Sequence, residues 1–440
     1  MVRGRYPWNY MNTEISAWNA PVASFPINAQ IRIPGSKSQT NRALVLAALA
    51  NSESVIDNPL LARDTELMLK AIELLGAKTT ILEDRIFIEP GLTTHAEVSI
   101  DVGLAGTVMR FIPPLAALTH SLIHFDGDEA ARVRPMQVML NALTDLGVEV
   151  IRKNDGYLPF SINGHGHISK SEVTIDASSS SQFVSGLLLA AARFNNGLKI
   201  IHSGHNLPSF PHIEMTMKML EEIGVICQHQ AIDSNQHSWS IAPQLIPGHH
   251  WKIEPDLSNA APFLAAAMVT GGSITILDWP KQTTQAGGQL PKILEAMGAK
   301  IELDQTGLTL FGPSKINPLN INLSEIGELT PSIAALLALA EGKSEITGIA
   351  HLKGHETDRI AALAYDLSQI GVTVEAKSDG LVITPGTLHG GKWKSYADHR
   401  MATAGAILGL KIPGIEIDDI SCTSKTMKNF EALWLDLISR

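Results

Sequence analysis

The sequence predicts an α/β (α+β) chain of two domains, made of six β-α-β-α-β-β units, three to a domain, around buried helices. Three observations predict it. At 440 residues the chain is longer than one hydrophobic core usually organises. A polar loop leads six times into a small-residue helix, at intervals of about seventy residues, the mark of duplicated supersecondary units. Most of these copies are followed by a second helix that stops at a glycine.

The copies begin at GSKSQTNRALVLAALANSESVI, LAGTVMRFIPPLAALTHSLIHF and SSSSQFVSGLLLAAARFNNGLKI. They continue at DLSNAAPFLAAAMVTGGSITI, ELTPSIAALLALAEGKSEITGI and ADHRMATAGAILGLKIPGIEI. Each helix is apolar nearly all round, the pattern of a helix enclosed by its own domain. Each then hands over to a β-branched strand. The second helices are DTELMLKAIELLGA, PMQVMLNALTDLGV, PHIEMTMKMLEEIGV, GGQLPKILEAMGA and ETDRIAALAYDLSQIGV. Alternating stretches such as KTTILEDRIFIEP follow them and read as hairpins.

Composition narrows the function classes. A net charge of −10 with no run of Lys and Arg excludes a basic nucleic-acid face. Positive charge must therefore be gathered locally. Cys227 and Cys422 are too few and too far apart for a disulfide framework or a metal site, and fit a reduced, cytoplasmic setting. The first 17 residues read as a flexible extension without a signal-peptide core, and Met11 offers a second start. No stretch approaches the ~20 apolar residues of a membrane span.

The cations concentrate at helix starts, where exposed N–H groups and the dipole favour anions. In PGSKSQTNRAL, Pro34 and Gly35 make a turn and Ser36 can cap the helix. Lys37, Ser38 and Arg42 project from its first turns and can face one site. The spacing is not that of a nucleotide-binding P-loop. GLAGTVMRF places Gly106 and Arg110 at a second start, and glycine lets an anion approach the backbone. Arg132 and Arg134 precede a proline, where arginine opposes the dipole unless an anion answers it. Ser180, Ser181 and Gln182, with Ser209 further on, offer more hydroxyls than capping needs. GHETDRIAAL holds His355, Glu356, Asp358 and Arg359, equally readable as ordinary capping or as an acid paired with an arginine. Asp398 reads as a cap beside His399 and Arg400, and Lys425 sits in SCTSKTMKNF. His165, His167, His249 and His250 read as surface residues.

PGSKSQTNRAL, LAGTVMRF, RVRPM, SSSSQF, GHETDRIAAL, DHRMA and CTSKT, in that order from about Pro34 to Phe430, together resemble the 5-enolpyruvylshikimate-3-phosphate synthase family. The resemblance implies the two-domain enolpyruvyl transferase fold with its active site between domains. Domains of residues 1–35 plus 252–440 and of residues 36–251 follow, with crossings near Gly35 and Lys252. It implies transfer of the enolpyruvyl group of phosphoenolpyruvate to the 5-hydroxyl of shikimate 3-phosphate, on the way to chorismate. No metal or organic cofactor is implied, and a monomer acting on small molecules is expected. Carried over by position, shikimate 3-phosphate falls to Lys37, Ser38, Arg42, Ser180, Ser181, Gln182, Ser209, Glu328 and His355. Phosphoenolpyruvate falls to Lys37, Gly106, Arg134, Gln182, Arg359, Arg400 and Lys425. Glu328 stands at the base for the 5-hydroxyl, and Glu356 with Lys37 at the acid for the methylene carbon.

The chain departs from the commonest pattern at Leu104, Phe111, His212, Glu328, His351 and His355. LAGTV, GELTP and HETDR together resemble the actinobacterial branch. Replacing lysine by His355 makes a fixed charge pH-dependent. Two rivals stay open: a UDP-N-acetylglucosamine enolpyruvyl transferase, whose loop cysteine has no evident counterpart here, and a non-catalytic binder of phosphorylated metabolites.

Overall fold

The computed structural model describes residues 17–231 and 236–439. The expected extension at the start of the chain, with Met11, therefore falls almost wholly outside the described residues.

All six small-residue starts form helices: Lys37–Leu49, Gly106–Ala116, Gln182–Ala191, Ala261–Thr270, Thr330–Ala338 and His399–Gly409. They are enclosed along nearly their whole length, as their lack of a polar face requires. The second helices are Arg63–Leu75, Gln137–Asp145, Pro211–Glu222, Leu290–Ala296 and Arg359–Ser368. The glycines that end them, from Gly76 to Gly371, all take positive φ, which side chains resist and glycine does not.

One unit shows the rule for the sheets. Val98–Asp101 lies parallel to Leu122–Asp126, which pairs antiparallel with Phe160–Asn163, whose hairpin partner Glu149–Arg152 closes the sheet. Five four-stranded sheets among the described residues repeat this order. The sixth unit has three strands. Trp18–Asn19, from the start of the chain, pairs antiparallel with Ile415–Ile417 where the other units use their own hairpin.

Two separate apolar cores result. One is formed within residues Ala43 to Ile253. The other combines Ala20 to Ile33 with Leu257 to Leu437. We call the surrounding structure the first and second lobe. Two strands tie the lobes at the crossings. Asn28–Ile31 belongs to a second-lobe sheet, parallel to Ser273–Leu277, and the chain then enters the Lys37 helix of the first lobe. His250–Lys252 completes a first-lobe sheet beside Ser54–Asp57 before the chain returns. The two crossing segments bond to each other, Ser36 N to the Glu254 carbonyl at 2.8 Å and Asp256 N to the Pro34 carbonyl at 2.9 Å. This narrow double strand brings the helix starts of both lobes face to face.

Candidate active site

Between the lobes lies a cleft lined by residues from both. Its walls are the polar helix starts. Ser36 caps the Lys37 helix by accepting from Gln39 N, which turns Lys37 and Ser38 into the cleft. Lys37 Nζ stands 3.2 Å from Asp64, and its backbone N–H donates to Asp256 at 3.0 Å. Gly106, Arg134, Ser180, Ser181, Gln182 and Ser209 complete the first-lobe wall, while Glu328, His355, Glu356, Arg359 and Arg400 face them.

Asp358 and Asp398 show how capping and chemistry divide. Asp358 accepts from Ile360 N and Ala361 N and so takes the capping duty, leaving Glu356 for the site. Asp398 caps its own helix through Arg400 N and also grips the buried Arg359 guanidinium at 2.7 and 3.2 Å. Arg359 donates in turn to Glu356 at 3.2 Å, and Lys425 reaches the same carboxylate at 2.6 Å. Arg132 leaves the cleft for an exposed pair with Asp126, whereas Arg134 turns inward and holds the Leu104 carbonyl at 3.2 Å.

Two expected ligands sit differently from the rest. Arg42 is fully enclosed and does not line the cleft. Its donors go to Thr216, Ser185 and the Ser38 and His212 carbonyls, with the Phe111 ring 5.1 Å away. It holds cleft residues from behind. Lys425 stands behind Glu356, bonded to that carboxylate and to the Leu104 carbonyl across the lobe boundary.

Cations with unspent donors dominate the electrostatics of the cleft. Arg110 Nε, Arg134 Nε and Arg359 Nη1 are buried without a hydrogen-bond partner among the described residues. Such orphans are costly inside a protein and point to a missing acceptor. Burial pushes Glu356 up, but Lys425, Arg359 and Arg134 outweigh it and hold the carboxyl well below its usual range. Glu328 is likewise pushed up by burial, then drawn below the carboxylate range by His212 and Arg400. His355 is held well below the usual histidine range by burial and by Arg359, so it stands in the cleft neutral near pH 7. The pH-dependent charge expected at this position is therefore absent at physiological pH. Among the described residues no group of three or more His, Cys, Asp and Glu side chains is placed to hold a metal.

Several lining residues carry no distinctive signal in the sequence. Asp64 looks like an ordinary first-turn acid, and Asp256, Ser258 and Asn259 open a helix start that has no cation to advertise it. Arg110 was legible as a helix-start cation, and the structure spends it on the Gln182 amide oxygen at 3.1 Å. His399 is enclosed with neither ring nitrogen hydrogen-bonded among the described residues, its Nδ1 lying 3.7 Å from Asp398, and burial with Arg400 keeps it well below the usual histidine range. Of the supposed surface histidines, His165, His167 and His250 are exposed, while His249 is half-covered and packs edge-on to Trp251. Both cysteines have thiols pushed up to about 12, first by burial.

Gly106 makes one consequence testable. A Cβ there would stand 2.7 Å from Arg110 Nη1 and 3.0 Å from Arg134 Nη2. Gly106→Ala therefore displaces both guanidiniums. The loss of one charged hydrogen bond should weaken the binding of inorganic phosphate at this wall of the cleft about tenfold or more, which titration calorimetry checks.

Two lobes of repeated units closing on a cation-lined cleft define the class, an enolpyruvyl-transferase fold. The fold is shared with the enolpyruvyl transferase NikO from Streptomyces tendae, with a TM-score of 0.72 at 14% identity, covering 95% of this chain and 96% of that one. It is shared also with the EPSP synthase of Acinetobacter baumannii, with a TM-score of 0.78 at 21% identity, covering 96% and 97%. In sequence, the chain is 48% identical over 432 residues to the 3-phosphoshikimate 1-carboxyvinyltransferase of Kocuria rhizophila, 96% of each being covered. The profile of EPSP synthase (3-phosphoshikimate 1-carboxyvinyltransferase) matches residues 22–434, and the chain belongs to that family.

Proposed function

We propose that the interlobe cleft is where this chain transfers the enolpyruvyl group of phosphoenolpyruvate to the 5-hydroxyl of shikimate 3-phosphate, releasing phosphate. Family membership supports the reaction. The observation that carries the site is the pair Glu328 and Glu356 set among cations with buried, unspent N–H groups. Pure anion binding gains nothing from two acids.

Lys37, Ser38, Ser180, Ser181, Gln182, Ser209 and His355 hold shikimate 3-phosphate, His355 as a neutral donor. Arg42 acts from behind through Ser38. Lys37, Gly106, Arg134, Gln182 and Lys425 take the phosphate side of phosphoenolpyruvate. Arg359 and Arg400 take its carboxylate, for which the planar guanidinium is suited. Residues 1–35 with 252–440 and residues 36–251 act as two domains that close on both substrates and exclude water. A cytoplasmic monomer is the working form.

The electrostatics of the cleft explain how an ionised Glu356 becomes an acid. When the substrate's phosphate and carboxylate neutralise Lys425, Arg134 and Arg359, the forces that hold Glu356 low weaken. Burial, which raises it, is left. Glu356 with Lys37 then protonates the methylene carbon of phosphoenolpyruvate. The 5-hydroxyl, relieved of its proton at Glu328, attacks C2. The tetrahedral intermediate loses phosphate and a methyl proton to give the enol ether.

Purified protein given shikimate 3-phosphate and phosphoenolpyruvate should release inorganic phosphate. Release only with UDP-N-acetylglucosamine as acceptor would move the assignment to the related transferase. Binding of both substrates without release would make the protein a binder.

A further inference from the structure

Arg42 and Arg359 are the most deeply enclosed arginines among the described residues, and they are held in opposite ways. Arg359 has carboxylates on two sides, Asp398 and Glu356. Arg42 bonds none. It donates to the Thr216 hydroxyl at 2.7 Å, the Ser185 hydroxyl at 3.3 Å, and the Ser38 and His212 carbonyls at 2.9 and 2.8 Å. Burial without an opposing carboxylate draws the guanidinium down to about 9. A charge taken out of water needs compensation, and neutral acceptors supply only part of it. The rest lies over the face of the guanidinium. There the ring of Phe111, fully buried in the helix Gly106–Ala116, has its centroid 5.1 Å from Arg42 Cζ. Phe111 is also one of the positions where the chain departs from the commonest family pattern.

The device is repeated one helix further on. Arg110, from the same helix as Phe111, lies over Phe183 of the helix Gln182–Ala191 at 5.2 Å. Its bonds go to the Gly106 carbonyl and the Gln182 amide oxygen, again to no carboxylate.

We propose that Phe111 is a positioning residue for the acceptor side of the cleft: its ring face serves Arg42 in place of a counter-ion, so that Ser38 and His212 are held by a charge that no bonded carboxylate neutralises. The inference rests on the functional reading above, in which that side takes shikimate 3-phosphate. A ring face attracts a cation through its quadrupole and brings no net charge. A carboxylate in the same place would cancel Arg42 and lower the positive potential of a wall that has to hold an anion. Ser38 and His212 both line the cleft, one from the Lys37 helix and the other from the start of the helix Pro211–Glu222. Arg42 ties their two carbonyls together, so a guanidinium that leaves the ring frees both segments.

Replacing Phe111 by 4-fluoro-, 3,5-difluoro- and 3,4,5-trifluorophenylalanine tests this, because each fluorine withdraws charge from the ring face and barely alters its size. The denaturant midpoint, which needs no ligand, should fall stepwise with the number of fluorines. The dissociation constant for shikimate 3-phosphate, from titration calorimetry, should rise in the same steps to about tenfold for the trifluoro ring, with kcat within about twofold. The same series at Phe125, which stacks on Phe160 at 5.0 Å rather than under a cation, should leave that affinity unchanged. A flat midpoint would remove the ring as the counter-ion of Arg42. A falling midpoint with flat affinity would remove Phe111 from the positioning of the site, and equal losses of affinity at Phe125 would reduce the effect to core packing. Wild-type protein that binds no shikimate 3-phosphate would instead sink the functional reading, while the midpoints would still decide what the ring does for Arg42.

Discussion

Glu356→Gln is expected to lower kcat by about a hundredfold or more, the usual scale of a lost acid–base group. Affinity for shikimate 3-phosphate should stay within about twofold, because the contacts assigned to that ligand lie elsewhere. The substitution keeps the shape of the side chain, but Lys425 holds one carboxylate oxygen at 2.6 Å and Arg359 the other at 3.2 Å, so the amide oxygen can keep only one of these bonds. The cluster thus loses a charge and one hydrogen bond. Titration calorimetry and steady-state kinetics together separate the two effects. Unchanged turnover would remove Glu356 from the mechanism.

Arg359→Ala should have the largest effect on stability. The guanidinium is 1% exposed and is shared between Asp398, fully enclosed, and Glu356. Removing one member of a buried ion pair leaves the other charge without compensation, at a cost of about 3–5 kcal/mol. Arg359→Lys should recover only part of it, because one ammonium cannot reproduce the Nε and Nη2 bonds to Asp398. Chemical denaturation of the three proteins measures this directly. An Arg359→Ala protein as stable as wild type would mean that Asp398 and Glu356 find other partners.

The contrast between Glu356 and Asp358 shows how far residue patterns reach. Both are acids at one helix start, and both fit capping by the same rule. Only the structure shows Asp358 accepting the backbone N–H bonds while Glu356 meets a lysine from residue 425. The fold was legible because each helix is written in local terms: a polar start, a small-residue body and a glycine stop. The cations of the site were legible for the same reason, being placed at those starts. Arg42 reads as one more cleft cation, yet four bonds to its own lobe enclose it, and no local pattern records partners at positions 185, 212 and 216. Asp64, Asp256 and His399 enter the site only through the meeting of separate units. The sixth unit makes the same point for the fold. Its antiparallel partner strand comes from Trp18–Asn19, at the other end of the chain.

Turnover in deuterium oxide probes most directly whether the cleft works by proton transfer to carbon followed by elimination. Protonation of the methylene carbon makes a methyl group whose hydrogens become equivalent by rotation, so the enol ether should carry solvent deuterium at that carbon. Mass spectra of the product and of recovered phosphoenolpyruvate should both show it, and Glu356→Gln should slow its entry. Phosphate released at the normal rate into a product free of deuterium would contradict the account.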